Sequence, residues 1–127
     1  MKLRIKGNTI RLRLSRSEVD RFREGREVLE TTRFGPGDHN RLTYMITPIG
    51  SAELTASFAE NRIIIGIPKA VGDQWADTDQ IGVEARISVG EGEVLEIVIE
   101  KDFACKQTSD GEDQTDLFQN PDANGEC

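Results

Sequence analysis

Short runs in which apolar and polar residues alternate recur along residues 1–100, and turn residues separate them. A period of two is typical of β-strands that bury one face. The connections are too short to return to a parallel neighbour, except at two places where a short helix fits. The pattern predicts about eight strands and two short helices in the order ββαββββαββ, with no internal sequence repeat. We therefore expect an α+β fold with a mainly antiparallel sheet that curls toward a barrel.

The first 14 residues predict a β-hairpin. Alternating segments lie on both sides of Gly7-Asn8, a pair that suits a two-residue hairpin turn. Such a turn places Ile5 opposite Ile10 and Arg4 opposite Arg11, so one side of the hairpin is apolar and the other is cationic. The cationic side, called the cationic face below, consists of Lys2, Arg4, Lys6, Arg11 and Arg13.

Start and stop signals predict two short helices. Ser15 and Glu18 have the spacing of a capping box, and Gly25 suits the left-handed residue that ends a helix. Pro68 suits the first turn of a second helix. In that helix Val71 and Trp75 lie four positions apart and share a face.

Length and charge narrow the class of protein. The chain has 127 residues and a net charge of -7, and its length fits one domain with a sheet and helix body over residues 1–100. No segment approaches the ~20 apolar residues of a membrane helix. The start has no secretory signal, so we expect a cytoplasmic protein without membrane contact. The acidic balance disfavours nucleic acid as a partner.

The tail, residues 101–127, differs from the body. It contains seven acidic residues and two lysines, a net charge of -5 (2 minus 7). A segment this polar is either disordered or held by specific contacts. Phe103, Leu117 and Phe118 provide apolar anchors. We therefore expect an ordered strap, packed on the sheet from Lys101 to at least Phe118.

Both ends of the chain resemble a family of small bacterial proteins. The start, Met1–Leu14 followed by Ser17-Glu18-Val19, is similar to the family's opening segment. Its closing motif is similar to Glu100-Lys101-Asp102-Phe103-Ala104-Cys105, Glu112-Asp113-Gln114-x-Asp116, Asn120-Pro121 and a final cysteine. With residues 56–59 and 68–79, the resemblance covers nearly the full length. It implies a compact cytosolic domain, and because the family has no assigned function it transfers no catalytic roles.

The cationic face has two interpretations. Paired guanidinium groups recognise phosphate or carboxylate bidentately, which indicates a site for an anionic ligand or partner. Alternatively, Glu96, Glu100 or carboxylates of the tail neutralise the face within the molecule. In that case Arg11 and Arg13 are internal latches.

The two cysteines are the candidate metal ligands. Zinc accepts thiolate and carboxylate ligands, and a tail that folds back would bring Cys127 toward Cys105. Their separation matches no zinc-finger spacing. A disulfide and two free thiols, with Cys105 buried at the end of a strand, stay open as alternatives. The nearby acidic run, residues 110–116, lacks the ligand order of a calcium loop.

These observations favour a non-enzymatic module that binds a protein or a small anionic ligand through the cationic face. The alternative is a metal-dependent or hydrolytic enzyme that uses Glu84, Glu96 and Glu100 together with the arginines. No nucleophile signature surrounds the single histidine, His39, so no catalytic residue and no cofactor is assigned. Exposed sheet edges would also allow a homodimer.

Overall fold

The computed structural model describes residues 1–103 and 116–118. These residues form eight strands and two helices, which confirms the α+β class. A short 3-10 helix, Asp38–Asn40, precedes β4. The elements are β1 (Lys2–Lys6), β2 (Thr9–Leu14), α1 (Arg16–Arg23), β3 (Val28–Arg33), β4 (Arg41–Ile49), β5 (Thr55–Ala59), β6 (Arg62–Pro68), α2 (Lys69–Asp77), β7 (Gly82–Gly90) and β8 (Glu93–Lys101). Neither helix has the length or the apolar run that a bilayer crossing requires.

The strands form two four-stranded sheets, so the prediction of one mainly antiparallel sheet curled toward a barrel is wrong. The first sheet has the order β1-β2-β8-β7 and the second has the order β3-β4-β6-β5. Each is mixed, because β2 pairs with β8 and β4 with β6 in parallel. Alternation shows which face a strand buries but not which strand lies beside it. Each helix carries the chain from one sheet to the other, and the alternation of residues does not reveal this crossing.

The local predictions at the start of the chain are confirmed. The β1-β2 hairpin has the expected register, with Ile5 opposite Ile10 and Arg4 opposite Arg11. The Ser15 side chain accepts a hydrogen bond from the backbone N–H of Glu18, and the Glu18 side chain accepts one from the backbone N–H of Ser15. This capping box begins α1, and Gly25 has the positive φ of 83° expected after the helix.

The core lies between the inward faces of the two sheets and the two helices. Its fully buried side chains include Leu12 and Ile99 from the first sheet and Ile46 and Ile65 from the second. The helices meet through Phe22 and Trp75, whose rings pack edge to face with centroids 6.2 Å apart. The Trp75 indole N–H donates to the Ile81 carbonyl at 3.0 Å. The inward face of each sheet is thus apolar.

The two halves of the chain follow the same plan, although the sequence shows no repeat. Each half contributes a hairpin, a helix and a second hairpin, and exchanging the halves converts the strand order of one sheet into that of the other. The register is also preserved. Leu12 pairs with Ile99 and Ile65 pairs with Ile46, and both Leu12 to Ile65 (65 minus 12) and Ile46 to Ile99 (99 minus 46) are shifts of 53 positions. The fold is therefore a topological repeat.

The described parts of the tail contact the body. The amide of Asp102 donates to the Leu14 carbonyl at 2.8 Å, and the amide of Phe118 donates to the Asp102 carbonyl at 2.9 Å. The rings of Phe103 and Phe118 pack edge to face with centroids 5.7 Å apart. The strap as a whole stays a prediction, because residues 104–115 and 119–127 lie outside the described residues.

Candidate anion-binding site

The cationic face lies on the outward side of the first sheet. Because β8 runs parallel to β2, it places Glu96 beside Thr9 and Glu100 beside Arg13 on the same outward side. The antiparallel strand β7 adds Glu84 beyond them. The outward side of this sheet therefore changes from cationic on β1 and β2 to largely acidic on β8.

Three of the five predicted cations pair with two carboxylates within the molecule. Glu100 accepts hydrogen bonds from Arg11 Nη1 at 3.1 Å and from Arg13 Nε at 2.8 Å. Its side chain is only 17% exposed, so water screens these bonds less than it screens a surface pair. Lys2 Nζ lies 3.0 Å from Asp102 Oδ2. For Lys2, Arg11 and Arg13 the contacts match the latch interpretation, in which like charges on neighbouring strands need a shared counter-charge.

Arg4 and Lys6 have no such counter-charge. Neither side chain makes an ion pair or a hydrogen bond that the structure records in residues 1–103 or 116–118, and both are exposed. Together with Thr9 and Arg11 they line a surface cavity of about 340 Å³. Thr9 Oγ1 donates to one carboxylate oxygen of Glu96 at 3.3 Å, and the other oxygen pairs with Arg86 on β7, so both oxygens are engaged. The cavity therefore concentrates positive charge beside a hydroxyl group.

A second cavity, of about 480 Å³, was missed at the sequence level. It lies where both ends of the described chain meet the start of α1, and Lys2, Ser17, Glu18 and Asp102 are among its lining residues. Asp116 closes it by accepting hydrogen bonds from the Ser17 backbone at 3.1 Å and the Ser17 hydroxyl at 2.5 Å. These contacts, first of all the Ser17 hydroxyl, hold the pKa of Asp116 below its ordinary value.

Two signals in the sequence could have identified this second cavity. The capping box fixes the start of α1, and the family resemblance already rests on segments that contain Lys2, Asp102 and Asp116. Those segments converge here in space. The cavity's polar groups mostly bind one another, so it is a junction between the tail and the body more than an open ligand site.

The buried cation of the tail junction is Lys101. Its Nζ donates to the carbonyl of Thr78, the residue that follows α2, at 2.7 Å, and lies 5.4 Å from the centre of the Phe118 ring. Burial lowers the pKa of Lys101, while Asp79 opposes this shift. Lys101 thus joins the end of α2 to the tail.

Burial also raises the pKa of the Tyr44 hydroxyl, and the charges of Glu30 and Glu18 raise it further.

The proposed thiol site cannot be placed, because Cys105 and Cys127 lie outside the described residues. Within residues 1–103 and 116–118, no cluster of three or more histidine, cysteine, aspartate or glutamate side chains has the arrangement of a metal site. His39 lies in the short 3-10 helix, near the Asn40 side chain. The zinc site therefore stays a prediction.

The carboxylates of the enzyme alternative do not line the cavity. Glu96 and Glu100 are engaged with Arg86, Arg11 and Arg13, and the described lining of the cavity contains only Arg4, Lys6, Thr9 and Arg11. General acid–base chemistry needs a carboxylate within reach of a bound substrate. No contact between the described residues favours the enzyme over the binding module.

Comparison with known protein families gives a match over most of the chain. The model described as Family of unknown function (DUF7009) matches residues 1–122. No curated protein matches, and no solved structure matches.

Proposed function

The chain belongs to this family of unknown function, and we propose that it is a non-enzymatic module that binds a small anionic ligand at Arg4, Lys6, Thr9 and Arg11. The observation that carries the proposal is the pair of cations without counter-charges, Arg4 and Lys6, at a cavity of about 340 Å³. Intramolecular carboxylates already pair with the neighbouring cations, Arg13 and Lys2. An external anion therefore gains more binding energy at Arg4 and Lys6 than at these two neighbours.

The chemistry of the lining suits a phosphate or carboxylate group. Arg4 lies directly opposite Arg11 across the hairpin, so two guanidinium groups and the Lys6 ammonium can converge on one anion. The Thr9 hydroxyl adds a neutral donor once it turns from Glu96. Arg11 also binds Glu100, so a ligand at this site competes with that carboxylate for the guanidinium group.

The tail is part of the same proposal. Asp102 pairs with Lys2 on the edge strand of the cationic face, and Asp116 holds the start of α1. We regard residues 1–127 as one domain in which residues 101–127 form a strap over the end of the first sheet. The strap would then fix the hairpin that carries the cavity.

Calorimetric titration of the full chain with inorganic phosphate, and separately with a dicarboxylate, tests the site. Arg4→Ala and Lys6→Ala should each weaken binding by about tenfold or more, since a charge-assisted hydrogen bond contributes about 1.5–3 kcal/mol. Arg21→Ala is the matched control, because it removes an exposed arginine from α1 that does not line the cavity. Absence of binding by every anion, or an equal loss in Arg21→Ala, would refute the proposal.

A further inference from the structure

The outward faces of the two sheets are equivalent in topology but opposite in character. The 53-position shift relates Arg4 to Ser57, Arg11 to Ile64, Glu96 to Thr43 and Glu100 to Thr47. On the first sheet each of these positions carries a charge. On the second sheet none does, in a chain of which 31% is charged.

The uncharged positions form one continuous surface, called the neutral face below. Cross-strand pairing puts Leu29, Met45, Ile64 and Ser57 in one row across all four strands. Thr31 and Thr43 lie in the next row, with their hydroxyls 3.0 Å apart. Leu29 is 47% exposed, and Thr31 and Ser57 are also exposed, whereas Ile64 is half-buried and Met45, at the centre of the row, is buried. A solvated sheet face normally carries charged residues.

The outward positions nearest the two ends of the neutral face carry opposite charges, and each end also has one residue of the other sign in the adjoining turn, Glu60 before Arg62 and Arg26 before Glu27. Arg33 and Arg62 lie at the end where β3 stops and β6 starts, and neither makes an ion pair that the structure records in its described part. Glu27 and Glu53 lie at the opposite end, just before β3 and β5 begin. A face with a cationic end, an uncharged centre and an acidic end is complementary to itself when one copy is turned head to tail.

We propose that the neutral face binds a second copy of this chain, with the two second sheets stacked face to face and their strands running in opposite directions. In this arrangement the arginine end of each copy meets the glutamate end of the other around a twofold axis. The uncharged centre adds no local like-charge contact to the overall repulsion between two molecules with net charge -7. Threonine, leucine, isoleucine and methionine can then interdigitate as in a β-sandwich.

The area of the neutral face sets the affinity that we expect for the dimer. Four strands spaced about 4.8 Å apart and about six residues long cover roughly 19 Å by 20 Å. A stable interface uses about 20–30 residues from each partner. The neutral face with its charged ends supplies fewer, so we expect a weak dimer whose population depends on protein concentration and on salt.

Sedimentation equilibrium of the full chain, from micromolar to millimolar concentration, tests this interface. We expect the average mass to rise from one chain toward two as concentration increases. Leu29→Glu should weaken the dimer by at least about tenfold. The substitution is tolerable, because the equivalent position on β7 is Glu84, an exposed glutamate. Ser57→Arg, which copies Arg4, is a second disrupting variant in case the first does not fold. Circular dichroism and thermal unfolding establish that each variant is folded.

The control variant lies on the first sheet. Ser88→Glu adds the same charge to an exposed outward position of β7 and should leave dimerisation unchanged. Glu53→Arg combined with Arg62→Glu should restore association that either change alone weakens. A wild-type chain that stays monomeric at every concentration overturns the proposal. So does a dimer that folded Leu29→Glu and Ser57→Arg leave intact, because such a dimer uses another surface.

Discussion

Gly72 shows at the scale of one residue how closely the two helices approach. A Cβ atom added at Gly72 would overlap the Phe22 ring, with Cζ only 2.7 Å away. Phe22 is itself held against Trp75, so the ring cannot move aside. We expect Gly72→Ala to lower the free energy of unfolding by about 1–3 kcal/mol, the usual cost of overpacking a core.

Denaturant unfolding measures this cost. Gly50→Ala is the matched control, since a Cβ at Gly50 meets no atom within 4 Å, and that variant should differ little from the wild type. The double variant Gly72→Ala with Phe22→Leu should recover part of the loss. Equal stability of Gly72→Ala and Gly50→Ala would show that the helices are not packed this closely.

Asp116 makes stability depend on pH. Its pKa is held below the ordinary value, first by the Ser17 hydroxyl, so the folded protein favours the charged form. The stabilisation is complete above the ordinary Asp pKa of about 3.9 and is lost as pH falls through the lower pKa of the folded state. We expect Asp116→Asn to lower the melting temperature at neutral pH and to differ less from the wild type in acid. Melting curves between neutral and acidic pH measure this, with Glu93→Gln, an exposed carboxylate elsewhere, as control.

Glu100 links two elements, the hairpin and β8. Replacing it with Gln removes the charge that Arg11 and Arg13 share, so we expect the free energy of unfolding to fall by about 1 kcal/mol. The same change frees Arg11 toward the cavity and removes a nearby negative charge. Binding of inorganic phosphate should therefore strengthen by roughly three- to tenfold.

Calorimetry on Glu100→Gln separates the two roles of the arginines. Glu84→Gln removes a carboxylate farther across the same sheet and should change affinity less. If Glu100→Gln is less stable while phosphate affinity is unchanged, Arg11 is a latch only and does not reach the ligand.

At the scale of elements, the sequence predicted what is local. The hairpin register follows from one turn and alternating residues, and α1 follows from Ser15 and Glu18. The parallel pairing of β2 with β8 could not be predicted, because nothing in either strand identifies a partner so distant in sequence. The unknown position of β8 also limited the prediction of the site. Alternation put all five cations on one face, but only the position of Glu100 on β8 shows that Arg13 is paired and Arg4 is not.

The tail contributes to the stability of the whole molecule. The Phe118 ring packs against Phe103, and the Arg16 guanidinium and Lys101 ammonium lie 5.8 and 5.4 Å from its centre. We expect Phe118→Ala to lower the free energy of unfolding by about 1–2 kcal/mol, because the ring is half-buried. Denaturant unfolding measures the loss. Phe34→Ala, at a side chain that is 74% exposed, should be nearly neutral, and equal effects of the two changes would contradict a docked strap.

The topological repeat also has a consequence for how the chain reaches its fold. In the second sheet, Thr43 pairs with Arg62, 19 positions later (62 minus 43), whereas in the first sheet Thr9 pairs with Glu96, 87 positions later (96 minus 9). Closing the longer loop costs more entropy, and such pairings slow folding. During synthesis the second sheet can form while β8 is still inside the ribosome. The β1-β2 hairpin must wait for β8 before the open edge of β2 is paired.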